Sequence, residues 1–272
     1  MRLLKKMGKQ AIKLIASDMD GTLLDSKGRL NPEFFSVFES LKDNGVMFVA
    51  ASGRQYYNLL KLFNSVKDDI MFVAENGTYV VFRSQELLVV DIPVNEAHKV
   101  IREVRGIEGA FPVLCGKGKA YIENDMPEFV KQARTYYERC DLVPDLLEIT
   151  DDRFLKIAVY DFGGSSINSY PVLQHFNDSL KVVVSGQNWL DVSHQGANKG
   201  NALIFLQNYL SIKVEECMAF GDQMNDAEML QAVSNSFAMA NSAEELKCFA
   251  RYTAPSNDEN GVLRTIRNFI LK

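Results

Sequence analysis

The stretch LIASDMDGTLLDS, residues 14–26, opens with an apolar run and then sets Asp18 and Asp20 either side of a methionine. In an extended segment, residues i and i+2 face the same side. The two carboxylates therefore stand together where a buried strand ends, with Gly21 and Thr22 directly after them. Like charges this close raise the energy of the fold unless something cationic holds them. An acidic turn is the plain alternative, since Asp and Gly both favour turns. Against it, the carboxyl end of a strand is where open α/β sheets bind ligands.

A second stretch, AFGDQMND (219–226), has the same design. An apolar strand runs into Gly221 and Asp222, and Asn225 and Asp226 open a helix. An acid at a helix N-terminus is stabilised by the dipole, which is enough to explain Asp226 alone. It does not explain Asp222, placed at a strand end as Asp18 is. Three carboxylates at one sheet edge require a hard, oxygen-preferring divalent cation, and Mg²⁺ is the economical choice. Two further pieces are weaker by themselves. In ASGR (51–54), Ser52 and Gly53 offer a hydroxyl and an accessible N–H able to hold a phosphoryl oxygen, or simply a turn into a helix. Lys199, in ANKG, sits near a helix start where its charge opposes the dipole. It is either a solvated lysine or a cation aimed at the acidic site.

Around these pieces the chain alternates strand-like runs with helical patterns. The runs 12–17, 46–52, 70–75, 155–162, 181–185 and 217–222 are short and apolar, as strands covered on both faces are. Helices are expected at 32–44, where Asn31, Pro32 and Gly45 suit the cap, first-turn and terminating positions, and at 55–66, 198–210, 225–234 and 259–272. This alternation implies an α/β fold built on a parallel sheet. The middle of the chain reads differently, as helix (95–105), strands (111–115, 119–123), helix (127–140), strand, helix (166–179), strand. It suggests an α+β module inserted at 83–190 into a core formed by 1–82 and 191–272.

Composition narrows the class. A chain of 272 residues with 47% hydrophobic content has ample core, and its net charge of −5 argues against a nucleic-acid or membrane-surface binder. No apolar run approaches the ~20 residues of a membrane span. The basic start MRLLKKMGKQAIK has no unbroken apolar segment and reads as a surface tail, not a signal peptide. Four scattered cysteines read as reduced core thiols, and a cytoplasmic location is expected. His98, His175 and His194 have no partners at ligand spacing. Trp189 is expected to pack at a domain junction, and CGKGKAY (115–121) reads as a solvated turn, not a P-loop.

In this order, Asp-x-Asp-Gly-Thr (18–22), the strand-end Ser52, Lys199 and Gly-Asp-x-x-Asn-Asp (221–226) resemble the four motifs of the haloacid dehalogenase-like phosphatases. DMDGTLL (18–24), VAASGR (49–54), AENG (74–77), NKG (198–200), FGDQMND (220–226), AMANSAEELK (238–247) and NDENGV (257–262) resemble the Cof-type subgroup of that family. The resemblance implies a Rossmann-like parallel-sheet core, with the insert as a C2-type cap closing over its carboxyl edge. It implies that Asp18 attacks phosphorus to form an aspartyl-phosphate and that Asp20 acts as acid and then base. Mg²⁺ would be held by Asp18, the main-chain carbonyl of Asp20 and Asp222. Lys199 would neutralise charge, Thr22 orient the Asp20 loop, and Ser52 and Gly53 bind phosphoryl oxygens. Asn225 and Asp226 would complete the metal's surroundings or position Lys199, and Asn225, like Thr22, is also expected to help bind phosphate.

The expected partner is a small phosphorylated metabolite, acting on a monomer or weak homo-oligomer. Residues 83–190 carry 12 basic and 16 acidic side chains, net −4, which disfavours polyanions and fits a sugar or metabolite monophosphate. A phosphomutase or phosphotransferase is the alternative, and a non-catalytic phosphate-binding regulator a third. A dehalogenase is disfavoured, because displacement at carbon needs neither Mg²⁺ nor a second acid such as Asp20.

Overall fold

The computed structural model describes residues 11–271; the basic stretch 1–10, read as a tail, lies outside them, as does residue 272. The elements run β1 (Leu14–Asp18), α1 (Glu33–Asp43), β2 (Met47–Ala51), α2 (Tyr56–Leu62), β3 (Met71–Ala74), β4 (Tyr79–Phe82) and β5 (Gln85–Val89). There follow α3 (Val94–Val104), β6 (Ala110–Gly116), β7 (Ala120–Ile122), α4 (Pro127–Tyr136), β8 (Cys140–Leu142), β9 (Phe154–Asp161), α5 (Ser169–Leu173), β10 (Leu180–Val184) and β11 (Trp189–His194). The chain closes with α6 (Lys199–Leu210), β12 (Cys217–Gly221), α7 (Ala227–Gln231), β13 (Asn235–Met239), β14 (Tyr252–Ala254) and α8 (Gly261–Phe269).

Two compact units result. One gathers the described parts of Met1–Ser52, Leu62–Gln85 and Asn198–Lys272; the other is Gly53–Lys61 with Glu86–Ala197. The first is built on a sheet of order β14-β13-β12-β1-β2-β3-β4-β5. Its strands from β14 to β3 are parallel, and β4 returns antiparallel to β3. β1 and β12 are buried at every position, as a central strand covered on both faces requires. Register decides what stands at the sheet edge: Asp18 lies opposite Ala51 and Ser17 opposite Phe220. Asp18, Ser52 and Asp222 thus all fall where neighbouring strands end.

Behind the sheet, Phe34 and Phe38 of α1 meet Phe48 of β2, with Phe48 set edge-on to Phe34 at 5.3 Å. Phe63 and Phe72 extend the ring cluster. Phe48 is fully buried, so Phe48→Ala should lose the transfer energy of the ring and leave a cavity. We expect a stability loss of ~3–5 kcal/mol in urea unfolding, with loss below ~1 kcal/mol showing that the cluster collapses to fill the gap.

The second unit holds a six-stranded sheet of order β10-β11-β9-β6-β7-β8. One face packs on α3 and α5 through Val100, Ile101, Val104 and Leu173, and the other on α4 through Phe129 and Ala133. Against the expected division at 82/83 and 190/191, the compact units divide at 85/86 and 197/198, and 53–61 also joins the second unit. Paired amides explain that segment. Gln55 Nε2 donates to the Arg139 carbonyl (3.2 Å) while Arg139 N–H donates to Gln55 Oε1 (3.1 Å). Asn58 repeats the exchange with the Tyr136 carbonyl and Glu138 N–H, and the Arg139 guanidinium lies 3.6 Å over the Tyr57 ring.

The helix expected at 127–140 stops at Tyr136, because Cys140–Leu142 pairs in parallel with β7. The helix expected from 166 begins only at Ser169, whose N–H is held by Asp161 Oδ2 at 2.9 Å, and gives way to a 3₁₀ turn after Leu173. Trp189 packs on Tyr136, Tyr137 and Tyr160 within this unit instead of at a junction. Lys117 and Lys119, read as solvated, pair with Glu86 and Asp141. Cys115 and Cys217 are buried free thiols, whereas Cys248 is exposed. Among the described residues no helix is long and apolar enough to cross a membrane.

Candidate active site

β1 delivers Asp18, and the chain then turns through Met19–Leu23 with non-helical geometry at Asp20 and Gly21. Asp18 is buried and Asp20 exposed. Gly21 has φ +76°, and a Cβ there would strike the Asp222 carboxylate. Only glycine satisfies both conditions. The close approach brings the turn after β1 against the end of β12.

Lys199 is not solvated: it is 1% exposed. Its ammonium donates to Asp18 Oδ1 and to Asp226 Oδ1, each at 2.6 Å. α6 begins at Lys199 and is capped by Asn198, whose side chain accepts from Asn201 N–H at 2.7 Å. A cation here opposes the dipole, and the two carboxylates offset that cost. Burial works against the charge of Lys199, but Asp18 and Asp226 outweigh it and hold the ammonium protonated well above its ordinary range.

Asp226 is saturated differently from its neighbours. Its Oδ2 accepts the main-chain N–H groups of Asp222 (3.0 Å) and Gln223 (3.2 Å), so both its oxygens are committed. Asp222 accepts the Thr22 hydroxyl at Oδ1 (2.8 Å) and the Gln223 amide at Oδ2 (3.2 Å). Thr22, expected to orient the Asp20 loop or bind phosphate, is therefore engaged with Asp222. Burial raises the carboxyls of both Asp18 and Asp222, with Lys199 opposing the rise at Asp18 and Thr22 opposing it at Asp222.

Oxygens of Asp18, Asp222 and Asp226 lie within 4.8 Å of one another, a set of hard donors suited to a divalent cation. Asp226 accepts three hydrogen bonds and Asp222 two, so Asp222 keeps more lone pairs to give than Asp226 does. The donor chemistry fits such an ion.

Ser52 is buried at the end of β2, with its N–H on the Val73 carbonyl and its carbonyl on Asn76 N–H. Gly53 opens the segment that joins the second unit. Asn225 is exposed, and its amide donates to Asn76 Oδ1 at 3.0 Å. Asn76 belongs to AENG, to which no role is given by sequence reasoning. Glu75 and Asn76 both adopt left-handed φ (48° and 56°) before Gly77 at 96°, strain of about 1–3 kcal/mol for each non-glycine residue. A Cβ on Gly77 would strike the Asn198 carbonyl, so the turn packs on the start of α6. An Asn-Gly pair directly after a buried strand at this same edge was the available signal. Of the histidines, His98 packs near Phe154 and His175 pairs with Glu103.

Residues 15–266 match the model of a family described as haloacid dehalogenase-like hydrolase. The chain belongs to that family. Among curated relatives of this haloacid dehalogenase-like hydrolase is the 5-amino-6-(5-phospho-D-ribitylamino)uracil phosphatase YbjI of Escherichia coli (strain K12), 34% identical over 94% of this chain and 95% of that protein. An HMP-PP phosphatase of Serratia proteamaculans is 30% identical over 86% of each chain. The solved structure of SMU.1108c from Streptococcus mutans UA159 superposes with a TM-score of 0.87 at 30% identity, covering 96% of this chain and 100% of that one. The chain is a Cof-type member and, by this kinship, a phosphatase.

Proposed function

We propose that this enzyme is a Mg²⁺-dependent phosphatase that hydrolyses small phosphate monoesters through an aspartyl-phosphate on Asp18. The observation that carries the reading is the buried ion pair of Lys199 with Asp18 and Asp226 at the carboxyl edge of the sheet. An acid of ordinary exposure needs no such partner. One held by a buried ammonium is oriented and ready to act as a nucleophile.

Asp18 attacks phosphorus, an O–P bond forms, and the ester O–P bond breaks. Asp20, exposed on its turn, gives its proton to the leaving alkoxide, then takes one from the water that attacks the acyl-phosphate. Lys199 keeps Asp18 aimed and balances the negative charge, while Ser52 and the Gly53 N–H are assigned the phosphoryl oxygens. Asn225, fixed by Asn76, is assigned to phosphate or to the surroundings of the metal. Asp18, Asp222 and the main-chain carbonyl of Asp20 would hold Mg²⁺, with Asp226 behind them. When bound, the ion neutralises charge on the phosphoryl group. The second unit takes the place in the chain of the C2 cap of Cof-type phosphatases and is assigned the choice of substrate.

The test is free-phosphate release from a panel of sugar and metabolite phosphates, including 5-amino-6-(5-phospho-D-ribitylamino)uracil, with Mg²⁺ and in excess EDTA. We expect no turnover in chelator and recovery on adding Mg²⁺; undiminished turnover in EDTA would sink the metal assignment. Asp222→Ala should raise the Mg²⁺ concentration needed for half-activity, and an unchanged requirement would remove Asp222 from the ligand set. Transfer of phosphate to an added sugar, in place of release, would make the enzyme a phosphotransferase.

A further inference from the structure

The turn that carries Asp20 is gripped from outside by two asparagines more than two hundred residues away. Asn241 Nδ2 donates to the Gly21 carbonyl at 2.8 Å, and Asn241 Oδ1 accepts the Asn257 N–H at 3.0 Å. Asn257 Nδ2 in turn donates to the Leu24 carbonyl at 2.9 Å. Leu24 N–H closes back on the Met19 carbonyl at 2.8 Å. The carbonyls following Asp20 are thus held at both ends of the turn by two side chains that are themselves coupled. The grip continues beyond the turn, where Asp258 accepts Ser26 N–H at 2.8 Å.

The turn needs such a grip. Asp20 and Gly21 leave helical geometry, so regular helical hydrogen bonds do not fix them. Asn241 follows β13, which pairs with β12, the strand that runs into Asp222. Ala243 N–H also holds the Asp222 carbonyl at 2.9 Å. One short segment, 241–243, therefore ties the Asp20 turn and the Asp222 loop to the same strand pair. The orientation of the Asn241 amide is dictated by its partners: a carbonyl demands the donor and an N–H demands the acceptor.

We propose that Asn241 and Asn257 are positioning residues for Asp20, setting where its carboxyl stands for proton transfer without touching substrate. The inference rests on the aspartyl-phosphate mechanism. Misplacement by about 1 Å costs on the order of 10²-fold in rate, and a general acid or base contributes ~10²–10⁴-fold. Asn241→Asp is the sharp variant, because it keeps an acceptor for Asn257 N–H and sets an oxygen against the Gly21 carbonyl. Asn241 is exposed, so this change and Asn241→Ala should leave the fold intact; Asn257→Asp alters a buried site and is the second probe.

The experiment compares wild type, Asp20→Asn, Asn241→Asp, Asn241→Ala and Asn257→Asp with saturating Mg²⁺ and p-nitrophenyl phosphate. Readouts are kcat, KM, urea unfolding and intact mass after acid quench in steady state. With this leaving group protonation hardly matters to the first step, so a displaced Asp20 slows water attack. We expect kcat to fall about 10–10²-fold in the Asn241 variants, KM to fall alongside it because kcat/KM reports the unaffected first step, and one added phosphoryl group to accumulate as in Asp20→Asn. A loss of kcat with no more phosphoenzyme than wild type, or unchanged kinetics in both Asn241 variants, overturns the proposal while leaving the mechanism standing. Absence of phosphoenzyme in Asp20→Asn itself overturns the mechanism, and the proposal with it. If Asn257→Asp alone unfolds, the two Asn241 variants decide between these outcomes.

Discussion

Asp18→Asn should abolish turnover outright, while Asp20→Asn stops the reaction one step later. The two carboxylates stand two residues apart but in opposite environments, one buried on Lys199 and one exposed on a glycine turn. On the proposed mechanism Asp18 makes the bond to phosphorus, so its amide leaves no route to either half-reaction. Asp20 is there assigned only proton transfer, and its Asn variant should keep the site assembled. With p-nitrophenyl phosphate the first half-reaction proceeds and the second loses ~10²–10⁴-fold. Acid-quenched mass spectrometry should therefore find phosphoenzyme in Asp20→Asn, mapped to Asp18. Nothing trapped in Asp20→Asn, together with activity surviving in Asp18→Asn, would reverse the assignment of roles.

Lys199→Met should remove activity and a large share of stability together. The ammonium is the buried cation shared by Asp18 and Asp226, and methionine matches its length without the charge. Breaking a buried pair by removing one partner costs ~3–5 kcal/mol, because the stranded charge stays desolvated. Asp18 escapes part of the cost by holding a proton, a direction its burial already favours. Asp226 keeps its two main-chain donors. Urea unfolding in EDTA should show the loss, and Lys199→Met/Asp226→Asn should recover part of it by neutralising one stranded acid. If the double variant is no more stable than the single, the cost lies in packing and not in charge.

The parts of this site written in the sequence are those fixed by strand ends. A run of apolar residues ending in an acid places Asp18 and Asp222 without further information, and burial of a lysine at a helix start was open as one of two readings for Lys199. The strands 14–18, 47–51, 71–74 and 217–221 were legible for the same reason: short runs covered on both faces leave an unbroken apolar record. What the sequence hid depends on pairings between distant residues. Gly21 is required partly by Asp222, 201 positions on. Gln55 and Asn58 join the second unit through amide exchanges with 136–139, which no local pattern encodes. Thr22 finds Asp222 and Asn225 finds Asn76 by the same kind of long-range contact. Edge strands such as β8 and β14, three residues each, carry too little pattern to be seen.

The ion pair of Asp18 with Lys199 spans 181 residues of chain, and this sets a clock on biosynthesis. At about 5–20 residues per second, on the order of 10–40 s separate the two residues as they leave the ribosome. Throughout that interval β1 lacks β12, the neighbour on one of its two sides, and its edge stands open beside an unneutralised carboxylate. The second unit's sheet, by contrast, lies within one contiguous stretch and is complete before Lys199 is made. A nascent chain of this enzyme therefore carries the finished sheet of its second unit while the sheet that bears Asp18 is still incomplete, and Asp18 meets its ammonium partner only after that unit has been made.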